Sequence, residues 1–203
     1  MIELWADKED IAELLHDLKV LPKGLEKAGA RAINKTLVST RAFMVTAVRE
    51  DYAIKAKDVR SDLVIKRANW GNLHGTINGS GSPGIPLISF ARTKVIPSTR
   101  RLKSGAYRPL TGIPVMVRKS RGKQAATGVF LQRMHSGHTG AFKRTGVKYS
   151  TGKEQIVEAF GPSPIKILSS DRYDEKIEDF ADETLQKNFK HEADFLLKKM
   201  GLR

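Results

Sequence analysis

No cysteine occurs among the 203 residues. That excludes a disulfide framework, thiolate catalysis, Cys-ligated zinc and iron–sulfur chemistry, and it fits a reducing compartment. Aromatic residues make up only 7% of the chain, too few and too scattered for an array of base-stacking side chains. No run of about 18 apolar residues is present, so no segment reads as a membrane-spanning helix and no membrane partner is expected. The start, Met1-Ile2-Glu3-Leu4-Trp5, has neither a basic n-region nor an apolar h-region. It is therefore not expected to be a signal peptide.

Acid is also missing from one long stretch. From Leu63 to Lys153, 91 residues contain no Asp or Glu. Of the 36 basic residues, 17 lie in that stretch, which leaves 19 against all 22 acidic residues elsewhere. A merely soluble surface mixes signs, so the segregation points to an anionic partner, either nucleic acid or an acidic protein. The stretch shows no aromatic cluster and no reading helix, but on the residues alone both readings stay open.

Glycine follows the same division. Of 17 glycines, 14 lie between Gly71 and Gly161, a density that marks turns and works against long helices. The hydrophobic share of 40% is ordinary for a folded chain. At this length roughly 70% of the unfolded surface can be buried without a metal or cross-link. The expected fold is α+β in one domain over 1–203. Residues 1–69 are helical, 70–161 form a basic β region, and 162–203 are helical again. The β region is expected to be a single glycine-rich antiparallel sheet of four to five strands.

The helical ends follow from periodicity and caps. Asp7 can cap a first helix whose Ile11, Leu14, Leu15 and Leu18 form one stripe, with Pro22 as its stop. A long helix is predicted from about Leu25 to Asp51. Its inward face is Leu25, Ala28, Ala32, Ile33, Leu37, Thr40, Phe43, Met44, Ala47 and Val48. Tyr52–Asn69 reads as a second short helix with Val59, Leu63 and Ile65 inward. The last helix starts at Asp171, has acid in its early turns and Lys198 and Lys199 at its end, as the helix dipole favours, and stops near Gly201. It is expected to pack on the long helix through Phe180, Leu185, Phe189 and Leu196.

Strands are predicted at Gly75–Asn78, Leu87–Ala91, Val115–Arg118, Val129–Met134 and Gln155–Phe160, where residues alternate or are β-branched. Val95–Gly112 is basic with few apolar anchors and reads as a loop that orders on assembly. Ser120–Gly128 reads as a second basic loop. The candidate partner-binding residues are Arg92, Lys94, Arg100, Arg101, Lys103 and Arg108 with Arg118, Lys119, Arg121 and Lys123.

No motif points to catalysis. Gly79-Ser80-Gly81-Ser82-Pro83-Gly84 matches G-x-G-x-x-G, but dinucleotide binding needs a helix next, and Pro83 and a predicted strand follow instead. His135 and His138 have no carboxylate near them in sequence, so they read as turn residues ahead of metal ligands. Gly140–Lys148 lacks the spacing of a P-loop. The acids that a metal-dependent nuclease would need are confined to the chain ends. No catalytic residue, cofactor or metal is assigned.

Several segments in order resemble the prophage minor tail protein Z family, the lambda-type tail-completion proteins. Lys23-Gly24-Leu25-Glu26-Lys27-Ala28 leads to Arg31-Ala32-Ile33-Asn34-Lys35-Thr36, similar to the family's Ala-Ile-Asn helix. Tyr52–Arg60 resembles its basic segment, and Ile85–Phe90 its strand after a linker. Val129-Phe130-Leu131 with Phe142–Gly146 resembles its strand pair, and Phe160–Pro164 its Gly-Pro-Ser turn. The likeness runs from about Lys23 to the C-terminus. Met1–Val20 and the long Val95–Gly112 loop depart from it.

The resemblance implies a structural virion protein, not an enzyme. It implies action at the head-proximal end of the tail, where a finished tail becomes competent to join a filled head. Partners implied are the tail tube or tail terminator protein and head-side connector proteins, with a homo-oligomeric ring, a hexamer by analogy. The expected location is the virion tail, after synthesis in the host bacterial cytoplasm. The alternative is a stand-alone basic nucleic-acid-binding protein; contact with DNA is possible but not favoured.

Overall fold

A computed structural model describes residues 2–4, 24–91 and 112–199. The helix expected after Asp7, the greater part of the Val95–Gly112 loop, Met200 and the stop at Gly201 lie outside the described residues. The described chain is α+β. In order, it contains β1 (Ile2–Leu4), α1 (Gly24–Asp51), α2 (Ala56–Asp62), β2 (Leu63–Lys66), β3 (Gly75–Gly79), β4 (Ile113–Val115), β5 (Gln124–Ala126), β6 (Val129–Arg133), β7 (Thr139–Lys148), β8 (Glu154–Glu158), α3 (Pro164–Leu168) and α4 (Asp171–Lys199). Its backbone groups into two compact units.

The first unit takes in the described residues of Met1–Ala47, Val59–Gly81 and Pro164–Arg203. Here α1 and α4 meet as the apolar spacing anticipates. Ala28, Ala32, Ile33, Leu37 and Met44 of α1 are fully buried, as are Ile177, Ala181 and Ala193 of α4. The Phe43 and Phe180 rings stack with centroids 4.3 Å apart. Asn188 Nδ2 donates to Thr36 Oγ1 over 3.0 Å. Leu185 and Phe189 are buried as expected, but Leu197 takes the buried position assigned to Leu196. The buried stripe advances by four residues from Tyr173 through Ile177, Ala181, Leu185, Phe189 and Ala193 to Leu197, and Leu196 falls off it.

Asn34 fastens the loop after β2 to α1. Its amide donates to the Ala68 carbonyl at 2.9 Å and accepts from the Ala68 N–H at 3.0 Å. The sheet order is β1-β3-β2, all antiparallel. At Gly75 a Cβ would stand 2.6 Å from Leu37 Cδ1 and 3.0 Å from Ile33 Cγ2. Only glycine lets β3 lie this close to α1.

The second unit comprises Val48–Asp58 and the described residues of Ser82–Ser163. It holds a two-stranded sheet, β4-β5, and a three-stranded one, β6-β7-β8. The single sheet of four to five strands is therefore replaced by three small sheets, one of which belongs to the first unit. The physical reason is interruption: turns at Gly122, Gly128, Gly137 and Gly152 all have φ between 63° and 83° and break the chain into short hairpins.

Four local expectations are corrected. Leu87–Phe90 is a 3₁₀ turn; its apolar residues anchor a connection, with Leu87 and Phe90 buried. Tyr52–Asn69 is not one helix, because α2 ends at Asp62 and Leu63–Lys66 pairs with β3. Val115–Arg118 gives way to Ile113–Val115 as the strand, and the basic Ser120–Gly128 loop contains β5, paired with β4. Strand β7 escaped the alternation count because Gly140 and Gly146 interrupt its pattern, although the family resemblance pointed to Phe142–Gly146.

Candidate partner-binding site

Among the ten candidate residues, Arg92, Lys94, Arg100, Arg101, Lys103 and Arg108 lie outside the described residues. The other four sit on and beside the turn between β4 and β5. Residues Lys119–Arg121 form a 3₁₀ turn that Gly122 closes at φ 63°. Two of the four serve the fold. The Lys119 ammonium donates to the carbonyl of Arg49 in the last turn of α1, where unsatisfied carbonyls and the negative dipole end attract a cation. The Arg118 guanidinium lies 5.4 Å from the centroid of the Tyr52 ring, a cation–π contact. The Ala53 N–H donates to the Val117 carbonyl at 3.0 Å alongside. Arg121 and Lys123 are exposed, and among the described residues neither forms an ion pair.

A second cationic surface is built on the β6-β7-β8 sheet. Val129, Leu131 and Ala141 on one face are buried. Residues directly opposite each other in antiparallel strands project to the same side. The register pairs Phe130 with Phe142, Phe142 with Glu158 and Arg144 with Ile156, so these five share the other face. The Phe130 and Phe142 centroids are 6.4 Å apart. A Cβ on Gly140 would stand 3.0 Å from the Phe142 ring and 2.9 Å from Glu158 Oε1, so glycine there lets the ring fold over the strand.

Charge lies around this aromatic floor. The Arg144 guanidinium sits 5.4 Å from the Phe130 centroid and 3.2 Å from Glu154 Oε2. The other oxygen of Glu154 accepts the Gly146 N–H at 3.1 Å. His138 Nε2 is 3.0 Å from Glu158 Oε1, so the fold supplies the carboxylate that the local sequence lacks. Phe130, Gln132, Arg133, His135, Arg144 and Lys153 line an open depression on this face. Arg133 alternates onto the Val129 and Leu131 side of β6 but, as the last residue of the strand, still lines this depression with Lys153, and both are exposed. Among the described residues no three His, Asp or Glu side chains come together to hold a metal ion.

Sequence reasoning missed this face. The usable signal was Val129–Arg133, whose alternation places Phe130 and Gln132 together. Arg144, Lys153 and Ile156 join them only through strand pairing.

The prophage minor tail protein Z family matches residues 10–202, nearly the whole chain. The chain belongs to this family. As a prophage minor tail protein Z family member it is a phage tail protein, and the match extends over both cationic surfaces and over every described element except β1. No curated protein and no solved structure matches the chain. No described helix is long and apolar enough to cross a membrane.

Proposed function

We propose that this protein is a structural, non-enzymatic component that completes the tail at its head-proximal end and takes part in joining the tail to a filled head. The observation that carries the reading is the family match over residues 10–202. The segregated charge supports it, because a stretch of 91 residues with 17 cations and no acid suits docking on acidic virion proteins. On this reading the subunits form a homo-oligomeric ring of six at the neck. They are made in the host cytoplasm and reside in the virion tail. Their neighbours are the tail tube or tail terminator protein on one side and head-side connector proteins on the other. Arg92, Lys94, Arg100, Arg101, Lys103, Arg108, Arg121 and Lys123 form the docking set. Arg118 and Lys119 join it only in part, since each already serves its own subunit.

The test is the joint replacement of Arg100, Arg101, Lys103 and Arg108 by Ala in the phage. Head–tail joining is expected to fail, or joined particles to be non-infectious. The subunit itself should fold, because surface charges contribute little to stability. Infectious particles at normal yield would overturn the docking role. A nucleic-acid-binding protein would instead show sequence-independent duplex binding at sub-micromolar affinity, with a log–log salt slope near −0.9 per phosphate contacted. Loss of that binding in the variant while assembly proceeds would establish the alternative.

A further inference from the structure

We propose that the cationic face of the β6-β7-β8 sheet docks the acidic outer face of α4 on a second copy of the chain. This deepens the ring proposed above and rests on self-assembly, not on where the ring acts in the tail.

The acidic half comes from α4. Its inward stripe runs through Tyr173, Ile177, Ala181 and Leu185. Glu175, Glu178, Asp179 and Asp182 are exposed, and their spacing of three, four and seven residues puts them together on the opposite side. The helix dipole accounts for Asp171 and Asp174 in the first turn, but its effect fades beyond that turn. Among the described residues none of these four carboxylates forms an ion pair. Among the described residues these four like charges repel one another with no ion pair to offset the repulsion.

The cationic half is the depression on the sheet. Arg133 and Lys153 are exposed, and neither has an ion-pair partner among the described residues. Phe130 and Ile156 give it a half-buried apolar floor. Two carboxylates, Glu154 and Glu158, stand on the same face. A nucleic acid, with a phosphate at every step, would run against them. Helix carboxylates one turn apart, about 5.4 Å, can seat on the cations and leave the acids aside. The two patches differ and lie on different units, so the contact is heterologous, of the kind that closes into a ring or extends as a chain.

Sedimentation velocity on the full chain tests this. The wild type is expected to self-associate at low ionic strength and to dissociate at about 0.5 M salt, where charges are screened within a few ångströms. The Glu178→Lys/Asp182→Lys double variant alone, and the Arg133→Glu/Lys153→Glu double variant alone, should each associate on the order of a hundredfold more weakly. An equimolar mixture of the two should regain association, because each then meets an opposite charge. Circular dichroism at wild-type intensity confirms that both variants fold. A wild type that associates unaffected by either reversal overturns this contact and leaves the ring standing. A wild type that is monomeric at every salt concentration overturns both. So does a chain that binds random-sequence duplex DNA through Arg133 and Lys153 without self-associating.

Discussion

Lys35 is half-exposed, yet its loss is expected to destabilise the first unit more than loss of the acid it pairs with. Glu192 lies on α4 with its side chain 6% exposed. Lys35 on α1 forms an ion pair with it, and Arg31 lies 3.8 Å away. The side chains of Lys35 and Arg31 are 51% and 55% exposed. Removing one partner of a buried pair typically costs about 3–5 kcal/mol, because the other charge is left desolvated. Lys35→Met should cost somewhat less, about 2 kcal/mol, because Arg31 remains nearby and Lys35 itself is only partly desolvated. Glu192→Gln should cost about 1 kcal/mol, since its abandoned cations return to water while the amide can still accept a hydrogen bond. The Lys35→Met/Glu192→Leu double variant should lie close to the wild type, because well-packed apolar pairs often replace buried ion pairs without loss. Urea unfolding followed by circular dichroism of the helices measures all three. The reasoning is refuted if Glu192→Gln proves the more damaging single change, or if the double variant is no more stable than Lys35→Met alone.

Two further outcomes are expected. Phe189→Ala should destabilise by about 3–5 kcal/mol in denaturant unfolding, because the ring is only 4% exposed and its loss leaves a cavity beside α1; unchanged stability would mean that this face of α4 serves a partner instead. Arg118→Ala should lower the unfolding midpoint measurably through loss of its contact with Tyr52, whereas Arg121→Ala should leave it within error and act, if anywhere, on assembly.

The sequence by itself determined the two long helices, because each carries a sustained 3.6-residue stripe, consistent ends and enough length for the period to be unambiguous. It also determined the charge partition and, through short segments in a set order, the family. Strands were legible where alternation ran unbroken, as at Val129–Arg133. They were not legible at β2, β5 and β7, where a few residues or an interrupting glycine leave no period to count. The tertiary structure decided the rest. Only strand register put Phe130, Arg144 and Ile156 on one face, because a register is a relation between segments and no segment contains it. Only folding brought Glu158 to His138 and gave Lys119 to the end of α1. Sequence counts charges along the chain. Whether a cation is used up inside its own subunit or left for a neighbour depends on which distant groups the fold sets beside it.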